Sequence, residues 1–233
     1  MPNKETLRKL IEWQGRTYSS ELGIRLEKNT DEEVFKWFLA SILFGARISE
    51  NIVKNTYYQF REANLLSPRA IVDAGWDRLV QVLDSGGYVR YDFKTADKLL
   101  EVMGNLLTLY QGSLLKLHEE ARDAHDLELR IQGLGKGIGE VTTQIFLREL
   151  RGIWKKAQPP LSTFARQSAR SLGWLNGESD SLMKLLQFWK QDGQNENDFP
   201  VMEAALVRVG KNYCHKRKCR ECHLLDDCQY PVL

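Results

Sequence analysis

The chain has no cysteine before position 214, no apolar run long enough to cross a bilayer, and almost no net charge. Each lack removes a class of reading. A membrane-spanning helix needs about 20 mainly apolar residues, and the opening MPNKETLRKL lacks the apolar core of a secretion signal. The expectation is therefore a cytoplasmic protein (nucleoid-associated in a prokaryote) with no membrane partner. In such a reducing compartment cysteines hold metals or do chemistry more often than they pair. The 33 Lys and Arg nearly balance 31 Asp and Glu, leaving a formal net charge of +2. No global basic field exists, so any contact with nucleic acid must come from a local patch. Strand-type alternation, a βαβ rhythm, internal repeats and low-complexity stretches are also missing. At 233 residues, 42% hydrophobic and 27% charged, the composition suits one large folded domain or two closely joined lobes.

What is present is helical periodicity. Leu7, Leu10, Ile11 and Trp13 recur at helical spacing. Thr30 with Glu33 forms a capping-box pattern ahead of Val34, Phe35, Trp37, Phe38, Leu39, Ile42 and Leu43. Ser49 is placed to cap a helix carrying Ile52, Val53, Tyr57 and Phe60, and Ser67-Pro68 reads as another helix start. Ser85-Gly86-Gly87 breaks the pattern before a long helix through Ala96, Leu99, Leu100, Met103, Leu106 and Leu107. Pro159-Pro160 and the polar run from Gln191 to Asn197 read as loops. The fold class expected is all-α.

All four cysteines fall in the last twenty residues, as Cys214, Cys219, Cys222 and Cys228, a C-x4-C-x2-C-x5-C pattern. Zinc commonly takes four thiolates from two C-x2-C knuckles, whereas an iron–sulfur cubane takes one cysteine per iron and tolerates uneven spacing. One C-x2-C pair favours the cluster; zinc and paired disulfides remain as alternatives. His215 and His223 read as surface or phosphate-contacting residues, since four cysteines already complete a ligand set. Lys216, Arg217, Lys218 and Arg220 against the lone acid Glu221 make the loop a candidate contact for a phosphate backbone.

The second feature is Ile131-Gln-Gly133-Leu-Gly135-Lys136-Gly137-Ile-Gly139-Glu140-Val141, lying between two helical patterns. Gly133-x-Gly135 permits positive φ and leaves amides unshielded, and the helix that follows points its N-terminal amides at whatever binds. The stretch superficially matches a dinucleotide fingerprint, but no strand precedes it. A tight helix–helix turn is the plainer alternative.

Taken together, the hairpin and the cysteine tail resemble endonuclease III and the wider helix-hairpin-helix DNA glycosylases. Gln132 to Gly137 looks like the family's proline-glycine-valine-glycine hairpin. Gly87-Tyr88 with Lys94-Thr95-Ala96, and Tyr110-Gln111-Gly112, resemble family segments in the same order. The resemblance runs from about residue 30 to 228. It implies a two-lobed fold: a six-helix barrel over 25–149 with the helix-hairpin-helix at about 126–149, and a lobe made of 1–24 with 150–233. It also implies a 4Fe-4S cluster on the 214–228 loop, and a DNA cleft between the lobes. The DNA contacts expected are Gly133, Gly135, Lys136, Gly137, Gly139, Arg47, Lys216, Arg217 and Lys218.

The departures bear on chemistry. Strand-cutting members carry a lysine directly after the residue matching Lys136, where this chain has Gly137. The family's catalytic aspartate falls at Ser162, and serine offers no fixed negative charge to an oxocarbenium-like sugar. The remaining catalytic candidates are Lys136, Glu140 and Ser162, and Tyr88 and Asp92 are candidates to line the cleft. Arg47 is the candidate side chain for filling the space left by a flipped base. The reading is a base-excision-repair hydrolase: a monomeric, monofunctional DNA glycosylase acting on a damaged base in double-stranded DNA, not a lysine-dependent strand-cutting enzyme. The alternative is a non-catalytic binder of damaged or structured DNA on the same fold.

Overall fold

The computed structural model describes residues 3–176 and 181–230, and every regular element among them is helical. The α-helices are α1 (Lys4–Gln14), α2 (Tyr18–Glu21), α3 (Asp31–Phe44), α4 (Glu50–Glu62), α5 (Pro68–Ser85) and α6 (Asp92–Tyr110). They continue as α7 (Leu114–Glu120), α8 (Ala124–Gln132), α9 (Glu140–Arg148), α10 (Thr163–Ser171), α11 (Ser181–Gln191) and α12 (Phe199–Val209). The chain divides into two compact units, Leu22–Gln158 and Met1–Glu21 with Pro159–Leu233.

The first unit is organised around α3, which is buried on nearly all sides, as a helix with apolar residues all round must be. Its start is set locally: the Thr30 hydroxyl accepts from the Glu33 amide at 3.4 Å. The Glu33 carboxylate does not return the bond to Thr30, as a full capping box would; it accepts from the Arg25 amide at 2.7 Å. Ser49 and Ser67 cap α4 and α5 in the same way, with Pro68 in the first turn of α5. Phe38 packs edge-on to Phe146 of α9 at 5.0 Å, and the Trp37 indole donates to the Phe146 carbonyl at 3.0 Å. These contacts fix α9, and with it the hairpin, on the buried α3. Tyr88, a candidate to line a cleft from sequence, is fully buried, and its hydroxyl donates to the Leu43 carbonyl at 2.7 Å. It is a core residue: its hydroxyl adds a short bond to a carbonyl at the end of α3 that otherwise accepts only from the amides of its own turn, Ala46 at 3.4 Å among them.

In the second unit α12 is buried along nearly its whole length between α1 and α10. Its Arg208 guanidinium lies over the Tyr18 ring, pairs with Glu21 at 3.0 Å and donates to the Gln14 and Arg16 carbonyls. A buried cation is tolerable here because all these acceptors converge on it. No helix among the described residues is long and apolar enough to cross a membrane.

Candidate nucleic-acid interface and cysteine loop

The hairpin runs from Gly133, which closes α8, to Gly139, which opens α9. Leu134 and Ile138 are buried and anchor the loop, while Gly133, Lys136, Gly137 and Gly139 are exposed. Helix α6 holds the loop from one side. Asn105 donates to the Leu134 carbonyl at 2.9 Å, and the Lys136 amide donates to the Glu101 carboxylate at 3.1 Å.

The glycines divide their roles differently from the expectation. Positive φ occurs at Gly137 (+90°), and neither Gly133 nor Gly135 takes it. Gly135 is needed for closeness instead: a Cβ there would stand 2.7 Å from the Val102 side chain. Gly139 caps α9 with extended backbone and no side-chain acceptor, and the space beside it is open. The first amides of α9 are therefore left to an external acceptor or water. Glu140 accepts from Gln144 one turn on at 2.8 Å and is an N-terminal acid matched to its own helix dipole.

Gly137-Ile138-Gly139 is the glycine pair that directly precedes the second helix. Val141 lies in the first turn of α9 and is 62% exposed.

Arg47 is exposed on the turn between α3 and α4. Gly45, two residues earlier, abuts the Thr142 hydroxyl, so this turn rests on the first turn of α9. Arg47 and the hairpin helix, far apart in sequence, belong to one neighbourhood. The signal missed in sequence is the glycine itself, which marks a close approach to another element.

Ser162 is the N-cap of α10, its hydroxyl oxygen accepting from the Ala165 amide at 3.2 Å. The far end of the same helix holds the cysteine loop. The Ser171 carbonyl accepts from the Cys228 thiol at 3.4 Å and from the Gln229 amide at 2.8 Å. Phe164 lies edge-on to His215 at 5.5 Å, and Gly210 sits against the Phe164 backbone. Helix α1 holds the other side. Trp13 stacks flat on His223 at 4.4 Å, and Asp227 accepts from Thr6 at 2.8 Å and Lys9 at 3.1 Å. Both histidines thus pack on aromatic rings. Of the three expected phosphate contacts, Lys216 and Arg217 are exposed, but the Lys218 ammonium is paired with Glu221 at 2.9 Å. An acid three residues along a tight turn captures it, a spacing visible in the sequence.

Among the described residues no disulfide links the four cysteines. No three His, Cys, Asp or Glu side chains there converge as a site for a single metal ion. The four thiols still share one half-buried neighbourhood, in which each lies within electrostatic reach of the other three. Burial pushes the Cys214 thiol up to about 11, and raises Cys222 and Cys228 as well. Around one zinc ion the sulfurs would stand about 4 Å apart, given Zn–S bonds of about 2.3 Å. A cubane, with one thiolate per iron, holds them further apart. Four cysteine thiols are a donor set that either group could take.

Helix order, hairpin and cysteine loop together define an endonuclease III-like all-α fold. Among solved structures the chain is similar to a non-covalent endonuclease III–DNA complex, at 17% identity and a TM-score of 0.58, over 97% of this chain and 93% of that one. It is also similar to a trapped endonuclease III–DNA covalent intermediate, an estranged-adenine complex. There the identity is 16% and the TM-score 0.52, over 98% of this chain and 97% of that one. At such identities the likeness is one of fold. No protein-family model matches the chain, and no curated protein does.

Proposed function

We propose that this chain is a monomeric DNA-binding protein of the base-excision-repair type. In this reading it hydrolyses the N-glycosidic bond of a damaged base flipped from duplex DNA, without lysine-dependent strand cleavage. The carrying observation is the uncapped start of α9, with Gly137 and Gly139 exposed and the Arg47 turn beside it, on an endonuclease III-like fold. Amides and a helix dipole aimed outward suit a phosphodiester, and Arg47 suits the gap left by an extruded base. In the reaction a water oxygen bonds to C1′ as the C1′–N bond breaks; the base leaves with the bonding electrons, and the water's proton passes to a neutral base or, when a cationic alkylated purine leaves, to solvent. With Ser162 at the expected aspartate position, the bases needing least help are those that leave readily, such as alkylated purines.

Cys214, Cys219, Cys222 and Cys228 would hold a 4Fe-4S cluster, supported by the donor chemistry described above. When bound, it would act as a structural tie for the loop that carries Lys216 and Arg217. Purified protein should then be brown, and Cys222→Ser should bleach it; a colourless protein with one tightly held zinc ion overturns this part.

The second reading, a non-catalytic binder of damaged or structured DNA, is favoured by one observation. Ser162, at the expected aspartate position, spends its oxygen on capping α10. A screen of modified-base duplexes, with heat–alkali treatment for abasic products and gel shifts in parallel, separates the two. Turnover on any substrate supports the glycosylase; tight binding without product supports the binder.

A further inference from the structure

We propose that Lys98 is a phosphate ligand of the hairpin, supplying from α6 the positive charge that the glycine loop itself lacks. The inference rests on the DNA-binding reading above and adds a residue outside the hairpin sequence.

The geometry is specific. The Lys98 side chain passes directly beneath Gly137, where a Cβ would stand 2.7 Å from Cε and 3.3 Å from Nζ. Gly137 is thus constrained twice, by its φ of +90° and by the lysine tail beneath it. Lys98 is half-buried, and among the described residues it has neither an ion pair nor a hydrogen bond. The two acids flanking it on α6 are engaged elsewhere. Glu101 accepts from the Lys136 amide at 3.1 Å, and Asp97 accepts from the Trp76 indole at 2.9 Å.

A half-buried ammonium without a counter-charge is destabilising on its own, and burial lowers its pKa accordingly. It becomes favourable when an anion arrives. The groups around it, exposed Gly137 and Gly139 and the open amides of α9, are those that accept a phosphodiester oxygen. A lysine suits this place because its ammonium is a compact point charge on a thin stem, able to thread under a glycine.

The test uses the full chain and a duplex oligonucleotide carrying one stable abasic-site analogue. Binding is measured across salt concentrations for wild type, Lys98→Gln and Lys98→Met, with melting temperatures in parallel. One lost phosphate contact should make the slope of log K against log salt shallower by about 0.9. Lys98→Met should melt at or above the wild-type temperature, because an uncompensated buried charge has gone, while binding several-fold more weakly at low salt. Wild-type slope and affinity in both variants overturn the assignment. So does a fall in melting temperature in both variants that parallels the loss of binding, which marks Lys98 as a packing residue. Wild type that fails to bind the duplex at all rejects the DNA-binding reading itself, an outcome distinct from failure of Lys98 alone.

Discussion

Gly45, at the end of α3, stands against the side-chain hydroxyl of Thr142, in the first turn of α9. Gly45 has right-handed helical backbone angles (φ −68°, ψ −13°), so alanine would suit the conformation but not the space. Gly45→Ala should push the Arg47 turn away from α9, costing about 1–3 kcal/mol through overpacking. DNA affinity should fall with it. Thr142→Ala in the same chain removes the opposing oxygen and should restore both stability and binding, measured by thermal melts and gel shifts. A double variant no better than Gly45→Ala would show that the contact does not hold the turn.

Ser162 offers a clean exchange, because aspartate caps a helix as well as serine does. Ser162→Asp should keep α10 intact while adding a fixed anion, and should raise excision of labile alkylated purines by one or more orders of magnitude. Ser162→Ala should instead cost about 1 kcal/mol of stability through loss of the cap, with little change in excision. Product measured after heat–alkali treatment decides; equal activity in Ser162→Asp and wild type rejects a sugar-facing position for residue 162.

The position chosen for a new lysine should matter sharply. Gly137→Lys forces a side chain into positive φ and onto Lys98, so it should destabilise the hairpin and weaken DNA binding. Val141→Lys sits on an exposed helical position. Combined with Ser162→Asp, it should yield a borohydride-trapped imine between the lysine amine and C1′ of an abasic site, with little or no adduct in wild type. A strong adduct in wild type would point to a native lysine already acting as nucleophile.

His118 predicts a pH dependence. Its ring stacks on Trp154 at 4.4 Å, its Nε2 is buried without a partner among the described residues, and Lys156 bonds the nearby His118, Glu119 and Ala121 carbonyls. Burial, then the Lys156 charge, lowers its pKa in the fold. The unfolded chain therefore takes up the proton first as pH falls. The stability is fully present above the unfolded value of about 6.5 and is lost as pH falls through the folded one. Melting temperature followed from about pH 7 down to pH 5 should drop more in wild type than in His118→Phe, which keeps the ring but not the proton. Parallel curves would remove His118 as the source.

Much of the secondary structure was legible because its causes are local. Thr30, Ser49 and Ser67-Pro68 start helices through a side chain and an amide three residues away, and Gly86-Gly87 ends α5 within one turn. Helices α7, α11 and α12 were not singled out. The buried surround of α12 shows why: it is apolar along nearly its whole length, so it lacks the two-faced pattern that announces a helix at a surface.

The sequence by itself determined where several helices begin, that a glycine hairpin joins two of them, and that four cysteines crowd one short loop. Those are matters of neighbours along the chain, where capping, turn chemistry and spacing act over a few residues. Tertiary structure decided the rest: that Gly137 and not Gly133 or Gly135 takes positive φ, that Gly135 yields space to Val102, and that Tyr88 caps Leu43 in the core. It also decided that Lys98 lies beneath the hairpin and that Arg47 shares a neighbourhood with α9. Each of these depends on which surfaces of distant helices meet, and close packing leaves room for one arrangement only after all of them have been buried together.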